Sequence, residues 1–419
     1  MKNIEELKKL LIKEISNELE AKTSSVDFDR AFMVERLEML YQATKADLAD
    51  KLRKQLLTDV LNEVVGFGPI QPLLDDPETV EIMVTGPKHV YIERNGVLSD
   101  TNIQFDDESH VMRIIDRMLH PLGRQVDWDN PTADARLPDG SRVNVVIPPV
   151  SVDGPCITIR KFLKTKLTMD QLISLESITQ HMAAFLEACT AARLNILISG
   201  NTSSGKTTML NILTGYIPGN ERIITIEDTA ELQLKQKYVV RLETKSAGVD
   251  GVGSVTTRDL VRNALRMRPD RLVVGEVRGG EAIDMLQAMN TGHDGSLATL
   301  HANSPRDAIS RLETMAMMSD LDLPLIAIRK QVSASINLIV HMARLQDGKR
   351  ITTRITEASG MEGDVVTLTD IFKFEQSGIG PSGKVEGELV PTGIRPLFSP
   401  RLEKAGFVLG GEIFGMGYY

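Results

Sequence analysis

Apolar residues recur at helical spacing near the start of the chain, first as Ile4, Leu7, Leu11, Ile15 and Leu19, then as Leu48, Leu52, Leu56, Val60 and Val64. Each set forms a one-sided stripe, which predicts an amphipathic helix. A weaker helical pattern covers Phe32 to Tyr41 between them. Stripes of this kind must pack on one another or on a partner, so residues 1–64 are expected to form a helical N-terminal extension. At Gly66-Phe67-Gly68-Pro69 the helical period breaks. Residues 65–162 then read as an α+β domain. Val80 to Thr85 and Val90 to Ile92 are β-branched runs, Asn95-Gly96 is a hairpin signal, and Asp139-Gly140 marks a turn before the run Val143 to Ile147. One amphipathic helix interrupts the strands, with Val111, Ile114, Ile115, Met118 and Leu119 on its buried side.

Residues 163–175 read as a linker, and residues 176–419 as a second domain in which helices and strands alternate. The predicted helices there are Ala183 to Ala191, one after Lys206, Leu260 to Met267 and Ala282 to Met289. The predicted strands are Leu194 to Ser199, Ile223 to Ile226, Leu272 to Val274 and Leu297 to Leu300. Such alternation means βαβ units around a mostly parallel sheet. The tail from Ile351 mixes short strands with Gly and Pro, and Glu375 to Glu386 reads as a polar loop.

With 419 residues, 42% of them hydrophobic and 25% charged, the chain has enough apolar material for more than one core. Acidic residues outnumber basic ones, 57 to 48, for a net charge of -9. That balance argues against a general nucleic-acid binder, so no direct DNA binding is expected. Cys156 and Cys189 stand far apart with no CxxC, which argues against a disulfide framework or structural zinc and for a reducing, cytoplasmic setting. Both cysteines are expected to be buried. The charge-interrupted N-terminus lacks the apolar core of a signal peptide, and no apolar run reaches the roughly 18 residues of a membrane span.

Gly200-Asn201-Thr202-Ser203-Ser204-Gly205-Lys206-Thr207, followed by Thr208, matches the Walker A pattern and lies between a predicted strand and a predicted helix. Glycines let the backbone wrap a phosphate, and the helix N-terminus favours the anion. The spacing therefore predicts ATP binding, with Lys206 on the β- and γ-phosphates and the Thr207 hydroxyl on Mg²⁺. Two further strands end in acids, Ile223 to Asp228 and Leu272 to Glu276. Parallel sheets gather ligands at their strand C-termini, so both ends should converge on the phosphates. Gly275 stands where many P-loop proteins carry Asp. Glu227 and Glu276 are thus alternative candidates for orienting the attacking water, the other lying near Mg²⁺. His293 and His301 flank a short apolar strand, and His301 at its C-terminal end is placed to hydrogen-bond the γ-phosphate.

In order along the chain, GNTSSGKTT, ITIEDTAEL, RPDRLVVGEVRG and TGHDGSLATLHANS resemble the Walker A, Asp box, Walker B and His box of the secretion ATPases of type II and type IV secretion systems and pili. Upstream, GFGPIQPLL, EIMVTGP, VYIERNGVL, DARLPDGSRVN and ITIRKF resemble the CpaF/TadA branch, the tight-adherence (Tad/Flp) pilus assembly ATPases, as does GMEGDVVTLTDIFKFEQ downstream. The resemblance covers about residues 60 to 410. It implies an ATP-hydrolysing homo-hexamer on the cytoplasmic side of the inner membrane, with a PAS-like N-terminal domain and a RecA-like P-loop ATPase domain. Such a motor moves pilin indirectly, through inner-membrane platform proteins. By motif, Lys206 and Thr207 take phosphate and Mg²⁺, Glu227 is the catalytic carboxylate, Glu276 the Walker B acid and metal ligand, and His293 and His301 the His-box pair. Arg136, Arg142 and Arg160 match basic positions between the domains, and Arg136 and Arg142 lead the candidates for completing a neighbouring subunit's site, with Arg124 and Arg160 behind them. The absence of a tetracysteine zinc element separates the chain from the type II secretion branch. A conjugation-type DNA or protein transfer ATPase is the alternative, and the direction of motion, extension or retraction, stays open.

Overall fold

In the computed structural model, helices form where the stripes predict them: α1 (Ile4–Ala21), α2 (Arg30–Ala43) and α3 (Asp50–Val64). The structure describes residues 4–21, 30–94, 96–162, 167–245, 253–381 and 383–417. They divide into two units, residues 1–164 and 165–419. In the first unit Leu7, Leu11 and Ile15 of α1, Met33, Leu37 and Tyr41 of α2, and Leu56, Val60 and Leu61 of α3 share one small core. Leu52 corrects the predicted stripe, being half exposed. The inward position in that first turn of α3 belongs to Arg53, whose guanidinium lies 5.4 Å from the centre of the Tyr41 ring and pairs with Glu38.

After the short α4 (Gln71–Asp75), six strands form a fully antiparallel sheet: β1 (Thr79–Thr85), β2 (His89–Arg94), β3 (Val97–Asp100), β4 (Thr132–Arg136), β5 (Arg142–Val146) and β6 (Cys156–Arg160). Their order is β3-β2-β1-β6-β5-β4. The predicted amphipathic helix is α5 (Glu108–Leu119), started by the Asp107 side chain on the His110 amide. Val111, Ile114, Ile115 and Met118 pack on Ile82, Val84, Val143, Val145, Ile157 and Ile159 of the sheet. Arg94 pairs with Val97 across a two-residue turn, of which Asn95 lies outside the described residues. Arg136 pairs with Arg142 across the turn containing Gly140, which sits at φ +94°. The helical extension is not separate from this α+β segment. His110 on α5 meets Glu63 at 2.9 Å, and Arg117 donates to the Glu63 and Gly66 carbonyls at 2.6 and 2.7 Å.

The second unit opens with α6 (Met169–Ser174), where a linker is expected. Thr168 and Gln171 form a capping box, and Met169 and Leu172 are buried in the unit's core. These residues therefore belong to the folded unit, and 163–166 lie outside the described residues. There follow α7 (Gln180–Ala191), β7 (Ile196–Gly200), α8 (Lys206–Thr214), β8 (Ile223–Glu227), β9 (Val239–Glu243), α9 (Thr257–Ala264), β10 (Arg271–Val277), α10 (Glu281–Asn290) and β11 (Leu297–His301). Next come α11 (Pro305–Met317), α12 (Leu325–Ser335), β12 (Leu338–Arg344), β13 (Arg350–Glu362), β14 (Val365–Ile379), β15 (Val385–Pro391) and α13 (Ser399–Lys404). The sheet order is β15-β14-β13-β12-β7-β11-β10-β8-β9. Neighbours from β12 to β9 are parallel, and β12 to β15 are antiparallel. Every residue of β7 is buried, as expected for a parallel strand covered on both faces. Met182 and Phe185 of α7 and Met209, Leu210 and Leu213 of α8 cover one face, and α9 to α12 the other.

The expected polar loop at Glu375 to Glu386 is instead the end of a long hairpin. β14 continues to Ile379 and β15 starts at Val385, with Glu375 opposite Glu388. Backbone pairing holds these strands although their side chains are polar and exposed, so the apolar alternation that signals a strand is missing. Both cysteines are free, Cys189 buried and Cys156 only half-buried. Among the described residues no helix is long and apolar enough to cross a membrane.

Candidate active site at the end of the central strand

β7 ends at Gly200 with φ +154°, where an added Cβ would lie 2.3 Å from the Met342 carbonyl oxygen, so no side chain fits. The loop then passes through Ser203 at φ +58° and Gly205 at φ +99° before α8 begins at Lys206. This is a phosphate cradle, with helix amides and the helix dipole at its base. Lys206 Nζ donates to the carbonyls of Gly200 and Asn201, both at 3.0 Å, and Arg350 Nε donates to the Ser203 carbonyl at 2.8 Å. The Ser204 hydroxyl is buried with no partner among the described residues. Thr202 and Thr207 are exposed, and Thr208 is half-buried on the first turn of α8.

Three strands along the sheet, beyond β11 and β10, β8 delivers Glu227, which is only 4% exposed. Its Oε1 accepts from the amides of Glu231 and Leu232 at 2.9 and 2.8 Å, while Oε2 is buried with no partner among the described residues. Burial pushes its pKa up to about 7, against the pull of those two amides and of Arg241. The adjacent strand explains how so large a group fits. Gly275 and Glu276 sit in a bulge, because Val274 pairs with Ala298 while Val277 pairs with Leu300. A Cβ on Gly275 would lie 2.9 Å from Glu227 Cγ. The missing Walker B aspartate and the buried Glu227 are thus one feature: the glutamate occupies the space that a side chain at 275 would need. Gly275→Ala should displace Glu227 and lower kcat by about a hundredfold, the order expected for roughly 1 Å of misplacement. Nucleotide affinity should stay within about threefold, because the cradle is untouched. Steady-state kinetics beside analogue titration check this.

Glu276 is oriented differently from Glu227. Its carboxylate pairs with Arg278 at 2.6 Å, and the same guanidinium reaches Asp228 at 3.3 Å. The two acids on which the sequence converges therefore divide: one is buried and held by amides, the other part-exposed and held by an arginine. His301 pairs in register with Gly200, and the Ala302 amide lies 3.4 Å from the Gly200 carbonyl, so His301 stands at the P-loop edge. His293 does not. It precedes β11, and a five-residue strand at about 3.3 Å per residue puts the two histidines at opposite edges of the sheet. Its amide and Nδ1 both lie 3.3 Å from the Ala288 carbonyl, beyond the end of α10. Within this chain, then, His301 stands at the P-loop edge and His293 at the end of α10.

In the first unit the register lines up Arg136, Arg142 and Arg160 on neighbouring strands, Arg136 opposite Arg142 and Arg142 opposite Arg160. Directly opposed residues share a face, so the three form one row. Arg124 follows α5 and lies outside it.

The profile of the type II/IV secretion system protein family matches residues 63–366. The chain belongs to this family. A Mycobacterium tuberculosis protein provisionally named for conjugal transfer is 37% identical over 313 residues, 73% of this chain and 88% of that one. Conjugal transfer protein TrbB of Rhizobium radiobacter is 32% identical over 284 residues, 66% and 83% of the two chains. Among solved structures, the pilus retraction motor PilT with bound ADP is 23% identical with a TM-score of 0.51, covering 68% of this chain and 80% of that one, a likeness of fold. With the P-loop and sheet described above, this family member is an α/β, RecA-like secretion ATPase. Arg350, Ser199 and His341 lie at or beside its P-loop edge and carry no motif signal, whereas Arg278 lies inside the GEVRG of the Walker B motif but has no role assigned by it. Arg350 opens a strand whose hairpin partner is distant in sequence from the P-loop, and His341 sits inside an apolar run.

Proposed function

We propose that this secretion ATPase is a homo-hexameric motor that powers assembly of a Tad/Flp-type pilus from the cytoplasmic side of the inner membrane, through platform proteins that move pilin. The observation that carries the reading is the division of the chemistry: the P-loop and Glu227 share one sheet edge, while a row of arginines stands on the other unit. A ring of copies gives each P-loop a neighbour's arginines. The motifs GFGPIQPLL and GMEGDVVTL and the N-terminal helices support the Tad branch. Glu227 is the base for the attacking water, Lys206 and the loop amides hold ATP, and His301 stands at the γ-phosphate side.

Mg²⁺ fits the donor set. Thr207 offers a hydroxyl and Glu276 a carboxylate, hard oxygens that suit an ion held by one or two protein groups and the phosphates. Among the described residues no cluster of three or more His, Cys, Asp or Glu could hold a metal by itself, consistent with a metal that arrives with nucleotide. When bound it would neutralise phosphate charge; in this structure the Glu276 carboxylate is paired with Arg278.

The relatives named for conjugal transfer favour a second reading, a DNA or protein transfer ATPase. Replacing the chromosomal copy by the Lys206→Ala form in the native host separates the two. Loss of surface filaments with normal DNA transfer is expected, and intact filaments with lost transfer would reverse the assignment. Salt-sensitive stimulation of the ATPase by DNA would point the same way as the second outcome.

A further inference from the structure

The loop between β7 and α8 holds one residue in a conformation that its side chain opposes. The Ser204 amide donates to the Asn201 carbonyl at 3.3 Å, closing a four-residue turn whose third position is Ser203 at φ +58°. Of the two central residues only Ser203 has a positive φ, the pattern of a type II turn, in which glycine or asparagine is the usual third residue. A serine there crowds its Cβ against the following carbonyl oxygen, so this stretch of the P-loop is strained.

Arg350 reaches that residue from β13, two strands along the sheet from β7. Its Nε donates to the Ser203 carbonyl at 2.8 Å, and its Cδ lies 4.0 Å from where a Cβ on Gly205 would stand. The arginine is itself fixed. Its carbonyl accepts from the Ser177 hydroxyl at 2.6 Å, the Thr352 amide donates to the Ser177 carbonyl at 2.9 Å, and Arg350 pairs with Arg344 across the turn containing Gly348. Peptide planarity gives the bond to Ser203 its consequence. In a trans peptide the C=O and the following N–H point in opposite directions. Drawing the Ser203 carbonyl outward to Arg350 therefore turns the Ser204 amide inward, to the side where the Asn201 carbonyl also accepts from Lys206 Nζ at 3.0 Å. A phosphate in the cradle needs inward amides.

We propose that Arg350 is a positioning residue for nucleotide binding, its Nε–H locking the 203–204 peptide so that a P-loop with serine at a left-handed position stays in the phosphate-binding form. Without that bond Ser203 relaxes toward negative φ and the peptide turns over. Apparent affinity then falls in proportion to the fraction of molecules left in the competent form. The cost of the left-handed region to a residue with a Cβ sets the scale, about five- to thirtyfold. The inference rests on ATP binding at this P-loop.

The test uses the full chain and measures affinity for a non-hydrolysable ATP analogue, with KM and kcat beside it. The variants are Arg350→Met, Arg350→Gln, Ser203→Gly and the double change Ser203→Gly/Arg350→Met. Methionine keeps the length of the side chain but has no donor, whereas glutamine places an N–H donor as many bonds from Cα as the arginine Nε, without the charge. Glycine takes a positive φ at no steric cost, so it removes the need for the brace. Arg350→Met should weaken analogue affinity and raise KM by about five- to thirtyfold. Arg350→Gln should recover to within about threefold of wild type, and Arg350→Met should cost less than about threefold when made in the Ser203→Gly protein. A guanidinium acting only through its charge on the phosphates gives another pattern: glutamine and methionine fall together, and Ser203→Gly rescues neither. Equal affinities in Arg350→Met and Arg350→Gln, an undiminished methionine penalty in the Ser203→Gly protein, or a loss confined to kcat each overturns the proposal. The two readings fail separately, because wild-type protein that binds no analogue removes the functional reading, whereas Arg350→Met protein that binds as tightly as wild type removes only this one.

Discussion

Glu227→Gln should lower kcat by about 10²- to 10³-fold, the range for removing a general base, while leaving nucleotide affinity close to wild type. Lys206, the loop amides and the helix dipole meet the ground-state phosphates, and Glu227 lies three strands along the sheet with one oxygen held by the Glu231 and Leu232 amides and the other unpartnered among the described residues. Such a carboxylate orients and deprotonates water, work that appears in the transition state. The sign of the pH dependence follows from its environment. Burial raises Glu227 to about 7, and the base acts only when ionised. In the free enzyme kcat/KM should therefore rise through about pH 7 and level off above it. The glutamine variant should lose that rising limb along with the rate. A profile flat between pH 6 and pH 8 in the wild type, or a glutamine variant within about tenfold in kcat, would move the base assignment to Glu276.

The parallel core was legible in the sequence because strands buried on both faces are short apolar runs, and β7, β8 and β11 stand within two residues of those runs while β10 runs three residues further, to Val277. The P-loop was legible for the same reason, since its glycines are required by backbone angles and by the Met342 carbonyl against Gly200. Less accessible were features set by pairing across the sheet. Leu52 matches the helical period, yet Arg53 takes its inward place because Tyr41 and Glu38 lie opposite. His293 and His301 are neighbours in a motif but not in space, because an extended strand separates what a helix would bring together. The purpose of Gly275 is written on another strand, in the volume of Glu227. The hairpin of β14 and β15 is built from backbone bonds between exposed polar residues, which leave no periodic trace.

The row of Arg136, Arg142 and Arg160 leads to the remaining prediction, that its arginines complete the site of a neighbouring copy. Arg142 and Arg160 stand directly opposite one another, like charges so placed cost stability, and an anion brought to that face offsets the cost. Arg142 and Arg160 are exposed and Arg136 half-buried, on the face of β5 turned away from Val143 and Val145. A guanidinium supplied to the γ-phosphate is worth about 10³-fold or more in turnover, so Arg136→Ala/Arg142→Ala protein should be nearly inactive while keeping its own P-loop intact. Lys206→Ala protein should be inactive for the opposite reason. Mixed under conditions that allow subunit exchange, the two should regain turnover, because some interfaces then join an intact P-loop to intact arginines. Recovery should follow the mixing ratio and peak between the pure proteins. If exchange is demonstrated by a labelled subunit and no activity returns, the arginines do not act across the interface. A wild-type rate per subunit that climbs with protein concentration would still show that turnover needs assembly, and would direct the search to other donors on the neighbouring copy.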